Sequence, residues 1–102
     1  MIKIRLFCAA GMSTSLLVTK MQEYASKINY DCDIIAYPIS EVSKYGHDAD
    51  YVLLGPQVKY ELNNAKRILG ADKPVEAIDM RAYGMMDGAA VIRQVIEGLE
   101  KR

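Results

Sequence analysis

Four short runs of β-branched and bulky apolar residues recur along the chain, each followed by a segment whose apolar residues repeat at helical spacing. This alternation restricts the fold more than any other feature. The runs span residues 2–7, 33–37 (closed by Pro38), 50–54 (closed by Gly55 and Pro56) and 75–79 (opened by Pro74). Between them, Leu17, Met21, Tyr24, Ala25 and Ile28 form one helical stripe. Val58, Leu62, Ala65 and Leu69 form a second, starting after Pro56 and stopping at Gly70. Ala89, Ile92, Val95, Ile96 and Leu99 form a third, and residues 40–45 read as a short helix of weaker periodicity. Strands alternating with helices over short connections predict an α/β fold, an open parallel sheet with helices on both faces. Right-handed crossovers make the order 2-1-3-4 the economical one. Lys3 and Arg5 give the first strand an alternating pattern that runs against this, so both are expected to emerge near its start.

In such a sheet, ligands sit beyond the carboxyl ends of the strands where the winding reverses, here between the first and third strands. The chain's 102 residues suit one domain covering positions 1–102, with no internal repeat or linker. Thirteen basic residues balance thirteen acidic ones, which leaves no basic field for nucleic acid or an anionic membrane. Two cysteines and one histidine are too few for a disulfide framework or a zinc site. No apolar run reaches the length of a membrane span, and a reduced, cytoplasmic setting is expected.

The switch point holds Cys8, Ala9, Ala10, Gly11, Met12, Ser13, Thr14 and Ser15, directly after a strand and before a helix. Small residues let successive amides curl inward, Gly11 tolerates positive φ, and the three hydroxyl residues stand at the positive end of a helix dipole. Such a loop suits a phosphate. Cys8 at its lip is expected to have a lowered pKa and to act as a nucleophile that carries a phosphoryl group. The plainer reading of each part alone is a buried strand-end thiol and a capped helix; their coincidence at the switch point favours chemistry. Neither a nucleoside-triphosphate loop nor a dinucleotide loop fits, for want of a lysine and of spaced glycines. A low-molecular-weight phosphatase loop would have arginine where Thr14 stands, so hydrolysis lacks its clamp. A non-catalytic regulatory module, read through its phosphorylation state, is the remaining alternative.

The segments Leu6-Phe7-Cys8-Ala9-Ala10-Gly11-Met12-Ser13-Thr14-Ser15-Leu16-Leu17-Val18 and Val52-Leu53-Leu54-Gly55-Pro56-Gln57-Val58, with Lys73-Pro74-Val75-Glu76-Ala77-Ile78-Asp79 and Tyr83-Gly84, resemble one family. It is the IIB component of the phosphoenolpyruvate-dependent sugar phosphotransferase system, lactose/cellobiose/diacetylchitobiose class. The resemblance covers essentially the whole chain. It implies that Cys8 takes phosphate from a histidine of a IIA protein and passes it to a sugar held by the IIC membrane permease. The sugar would be a β-linked disaccharide such as cellobiose, diacetylchitobiose or lactose. It implies no metal, nucleotide or other cofactor, and work at the inner face of the membrane.

Cys32 and His47 precede the second and third strands, at the end of the sheet away from Cys8, and read as incidental. Met12, Gln57 and Tyr83 are expected to protrude around Cys8 and meet both protein partners in turn, over a small transient interface formed by a monomer. Asp79 reads as structural or at the rim, and Met85 and Met86 by default as core.

Overall fold

From Ile4 to Cys8 every residue of the first strand, β1 (Ile2–Cys8), is buried, as a strand covered on both faces requires. The computed structural model describes residues 1–9 and 14–101. β1 lies between β2 (Cys32–Pro38) and β3 (Tyr51–Leu54), with β4 (Val75–Ala77) beyond β3, so the order is the expected 2-1-3-4. All pairings are parallel. Ile2 faces Cys32 and Cys8 faces Pro38 on one side, while Ile4 faces Tyr51 and Phe7 faces Leu54 on the other.

Alternation along β1 divides the core. Ile4, Leu6 and Cys8 join Leu17, Met21 and Ala25 of α1 (Thr14–Lys27) with Tyr51, Leu53, Val91, Ile92 and Val95. Phe7 joins Val52, Leu54, Val75 and residues of α2 (Val42–Tyr45) and α3 (Leu62–Leu69) on the opposite face. The last helix, α5 (Gly88–Glu100), packs against α1. Ile28 of the first stripe falls past the end of α1 and is exposed.

Arg5 departs from expectation. It is only 8% exposed, in the middle of β1 rather than emerging near its start. Burial is tolerable because its guanidinium meets the Asp33 carboxylate at 3.0 Å and donates to the carbonyls of Asp33 (2.9 Å) and Ile4 (3.2 Å). The segment after Pro56 also differs. It opens as a 3-10 turn (Pro56–Glu61) with non-helical dihedrals at Val58, so α3 proper begins only at Leu62. β4 stops at Ala77, short of the expected residue 79, because Asp79 caps a further helix, α4 (Met80–Gly84), by accepting from the Ala82 amide at 3.0 Å. That helix has too few residues for periodicity to reveal it.

The α1–α5 contact depends on Gly88, where an added Cβ would lie 2.4 Å from backbone atoms of Lys20 and Met21. Backbone cannot rotate aside as a side chain can. Gly88→Ala is therefore expected to cost about 2–3 kcal/mol by overpacking, although alanine is the better helix former. Urea denaturation checks this; an unchanged or raised midpoint would contradict the packing described.

Candidate functional site

Cys8 occupies the last position of β1, on the face covered by α1 and α5. Its parallel neighbour β3 ends at Leu54, opposite Phe7, and the chain leaving it passes close to the sulfur at Gly55. Gly55 makes that passage possible: a Cβ there would lie 3.0 Å from Cys8 Sγ and 3.1 Å from Gln57 Oε1. The Gly55 amide donates to the Phe7 carbonyl at 2.9 Å, locking the end of β3 to β1. Sulfur, glycine and glutamine side chain therefore converge at the carboxyl end of the sheet.

The thiol is 2% exposed. Burial pushes its pKa up to about 11, against a smaller downward pull from the Gly55 backbone. The expected lowered pKa is thus overturned: apolar surroundings disfavour the thiolate more than the neighbouring amide, already engaged by Phe7, favours it. Cys8 rests as a protonated thiol at neutral pH.

Of the other expected site residues, Ala9 follows the sulfur half-buried against the Phe7 cluster, and Thr14 and Ser15 open α1, Thr14 half-buried and Ser15 exposed. Ala10, Gly11, Met12 and Ser13 lie outside the described residues. Gln57 is exposed beside Gly55, where the sequence places it. Tyr83 is not: it is 6% exposed and belongs to the same core cluster as Cys8, so it does not protrude towards a partner. The cap at Asp79 sets α4 so that Tyr83 turns inward, a consequence of a helix too short to read from sequence.

Among the described residues, the buried Tyr83 hydroxyl has no hydrogen-bond partner. Gln57 reaches towards it, short of hydrogen-bond geometry, and tends to lower its pKa; burial and then the charge of an ionised Cys8 raise it. An unsatisfied buried hydroxyl typically costs about 1–3 kcal/mol.

Met85 is exposed rather than in the core, and Met86 is half-buried against it. Exposed Leu16, Tyr60, Met80 and Met85 also lie on segments that follow the carboxyl ends of the strands. Only the burial pattern reveals these residues as a group. Cys32 starts β2 at the opposite end, its pKa raised by burial and then by Asp31 and Asp33; His47 is exposed in the turn before β3. A hollow of about 720 Å³ lined by Tyr51, Lys66, Arg67, Lys73, Glu76 and Lys101 flanks the start of β4, remote from Cys8. Among the described residues, no three His, Cys, Asp or Glu side chains are grouped to hold a metal, and no helix is long and apolar enough to cross a membrane.

Residues 3–94 match the sequence family described as the lactose/cellobiose-specific IIB subunit of the phosphotransferase system. The chain is 43% identical over 97 residues to the oligo-β-mannoside-specific EIIB component of Bacillus subtilis (strain 168), covering 92% of each chain. It is 41% identical over 95 residues to the galactose-specific EIIB component of Lactococcus lactis subsp. cremoris (strain MG1363), covering 87% of this chain and 88% of that one. In structure it is similar to the cellobiose-specific IIB component from Borrelia burgdorferi (TM-score 0.79, 33% identity, 98% of this chain and 93% of that one). It also shares the fold of the lactose-specific IIB domain from Streptococcus pneumoniae (TM-score 0.78, 17% identity, 95% and 96% covered).

The raised thiol pKa has a consequence for stability. Between pH 9 and about 11 the unfolded chain, with an ordinary thiol, loses the Cys8 proton while the folded protein keeps it. This contribution is fully present below pH 9 and is lost as pH rises, by about 2 kcal/mol across the window. Urea unfolding of wild type and Cys8→Ala across that range isolates it: the wild type should lose about 2 kcal/mol more than the variant. Parallel pH profiles would show that the sulfur is not held as a buried thiol.

Proposed function

We propose, for a chain that belongs to the lactose/cellobiose-specific IIB family of the sugar phosphotransferase system, that Cys8 is the residue through which this phosphotransferase carries its phosphoryl group. The observation that carries the reading is the position of Cys8, alone among the nucleophiles of the described strands in closing the central strand against Gly55 at the switch point of the sheet. Residues 1–102 work as a single carrier domain, a cytoplasmic monomer that visits the inner face of the membrane. Ala9, Ala10, Gly11, Met12, Ser13, Thr14 and Ser15 would cradle the phosphoryl oxygens. The donor is a phosphohistidine of a IIA protein, and the acceptor is a sugar held by a IIC permease. Relatives named for oligo-β-mannoside, galactose and cellobiose support a sugar substrate of this class, and a β-linked disaccharide is the proposed one.

A buried neutral thiol sets the proton balance of both steps. In the first, the phosphorus–nitrogen bond of the donor breaks and the sulfur–phosphorus bond forms. The thiol proton passes to the histidine nitrogen that loses the phosphoryl group. In the second, a sugar hydroxyl oxygen attacks phosphorus, the sulfur–phosphorus bond breaks, and the departing sulfur takes up the hydroxyl proton. A thiol pKa of about 11 makes the sulfur a ready proton acceptor in that second step.

Both partners must reach one sulfur, so they bind in alternation. Met12 and Gln57 are proposed contacts, joined by exposed Leu16, Tyr60, Met80 and Met85. With balanced charge on the chain, apolar contact would supply much of the affinity.

Incubation with phosphoenolpyruvate and the upstream donors should add a single phosphoryl group to Cys8, read by intact mass and peptide mapping. Cys8→Ser should take up none and reduce sugar phosphorylation to background, with stability within about 1 kcal/mol of wild type, because the swap is nearly isosteric while an alcohol is the weaker nucleophile. Normal sugar phosphorylation by Cys8→Ser would overturn the assignment.

A further inference from the structure

Without a hydrogen-bond partner among the described residues, the Tyr83 hydroxyl lies in the core cluster that contains Cys8, and a buried donor without an acceptor calls for a physical reason. Three observations point to the sulfur's cargo as that reason. First, the Asp79 cap and the short turn of α4 hold Tyr83 inward at the carboxyl end of the sheet, on the Cys8 side. Second, the polar group that approaches the hydroxyl is the Gln57 side chain, whose Oε1 lies, like Cys8 Sγ, about 3 Å from the point a Gly55 side chain would fill. Hydroxyl, amide and sulfur thus bound one small region. Third, the resting state offers the hydroxyl little: a neutral thiol is a weak acceptor.

We propose that the Tyr83 hydroxyl donates a hydrogen bond to the phosphoryl group carried on Cys8, an inference that rests on the carrier reading above. Loading the sulfur brings three strongly accepting oxygens into the region where the donor waits. The phenol stays protonated, and so remains a donor, because burial holds its pKa above the ordinary value. Gln57 then steers the hydroxyl without consuming it. The bond exists only in the loaded state, so it favours phosphocysteine over the empty carrier and fixes the group's orientation for the outgoing transfer.

Tyr83→Phe keeps the ring and removes the donor. In assays driven by phosphoenolpyruvate and the upstream donors, Cys8 occupancy at equilibrium and the rate of transfer to sugar should fall roughly 10- to 100-fold, the range for one hydrogen bond to a charged group. The melting temperature of the unloaded variant should stay level or rise, since an unsatisfied hydroxyl has been deleted. Wild-type occupancy and transfer, or a loss of activity tracking a lowered melting temperature, would overturn the proposal. A second measurement needs no variant: in loaded wild-type protein, a slowly exchanging phenolic proton should show scalar coupling to phosphorus. Its absence would likewise count against the bond. Wild-type protein that takes no phosphoryl on Cys8 would bring down the carrier reading itself; normal loading with neither the coupling nor the Tyr83→Phe defect brings down this inference alone.

Discussion

The parallel register of β1 between β2 and β3 is the constraint on which the rest of the molecule depends. A strand bonded on both edges and covered on both faces must be apolar throughout, and Ile4, Leu6 and Phe7 are completely buried. That same register decides which residue leaves the sheet at its carboxyl end. Cys8 stands opposite Pro38, whose missing N–H ends the ladder on that side, while the Gly55 amide closes the other side on the Phe7 carbonyl. A slip by one residue would turn Cys8 to the opposite face and separate it from Tyr83. Position and chemistry at the site are therefore consequences of strand pairing.

Where a signal extends over many residues, the chain reads well. Four apolar runs and three amphipathic stripes carry the strand order and the two helical layers, because periodicity averages over a whole element. Arg5 reads badly for the opposite reason. Its charge looks like exposure, yet Asp33 comes beside it only once β2 has paired with β1, an interaction 28 residues distant in sequence. The same holds at α4: Asp79 is a capping residue in plain view, but a helix of five residues has no period to recognise. Misplacing that one helix puts Tyr83 on the rim instead of in the core.

The thiol pKa is a further lesson in competing terms. A loop of small residues before a helix argues for a stabilised thiolate, and that argument considers only donors. Removing the sulfur from water acts in the opposite sense, and at 2% exposure it prevails. The two need not conflict in function. A carrier that rested as an exposed thiolate would be open to oxidation and to stray electrophiles. On the proposed carrier reading, a buried thiol would be kept inert until a partner supplied both the phosphoryl group and a base for the proton.

The proposed division of labour would also account for how the surface is arranged. On the proposed reading, the carrier would need no sugar pocket of its own, because its substrate would arrive bound to another protein. It would need instead a face that two unlike partners could cover in turn. Flexible methionines suit that task, since thioether side chains adapt to differently shaped surfaces at low cost. Met80 opens α4 and Met85 caps its end, the same helix that turns Tyr83 inward into the core cluster of Cys8. A partner pressing on the outer side of α4 would therefore bear on the element that holds the Tyr83 donor. One short helix would then link docking at the surface to the environment of the phosphoryl group beneath it, and the Asp79 cap would set the stiffness of that link.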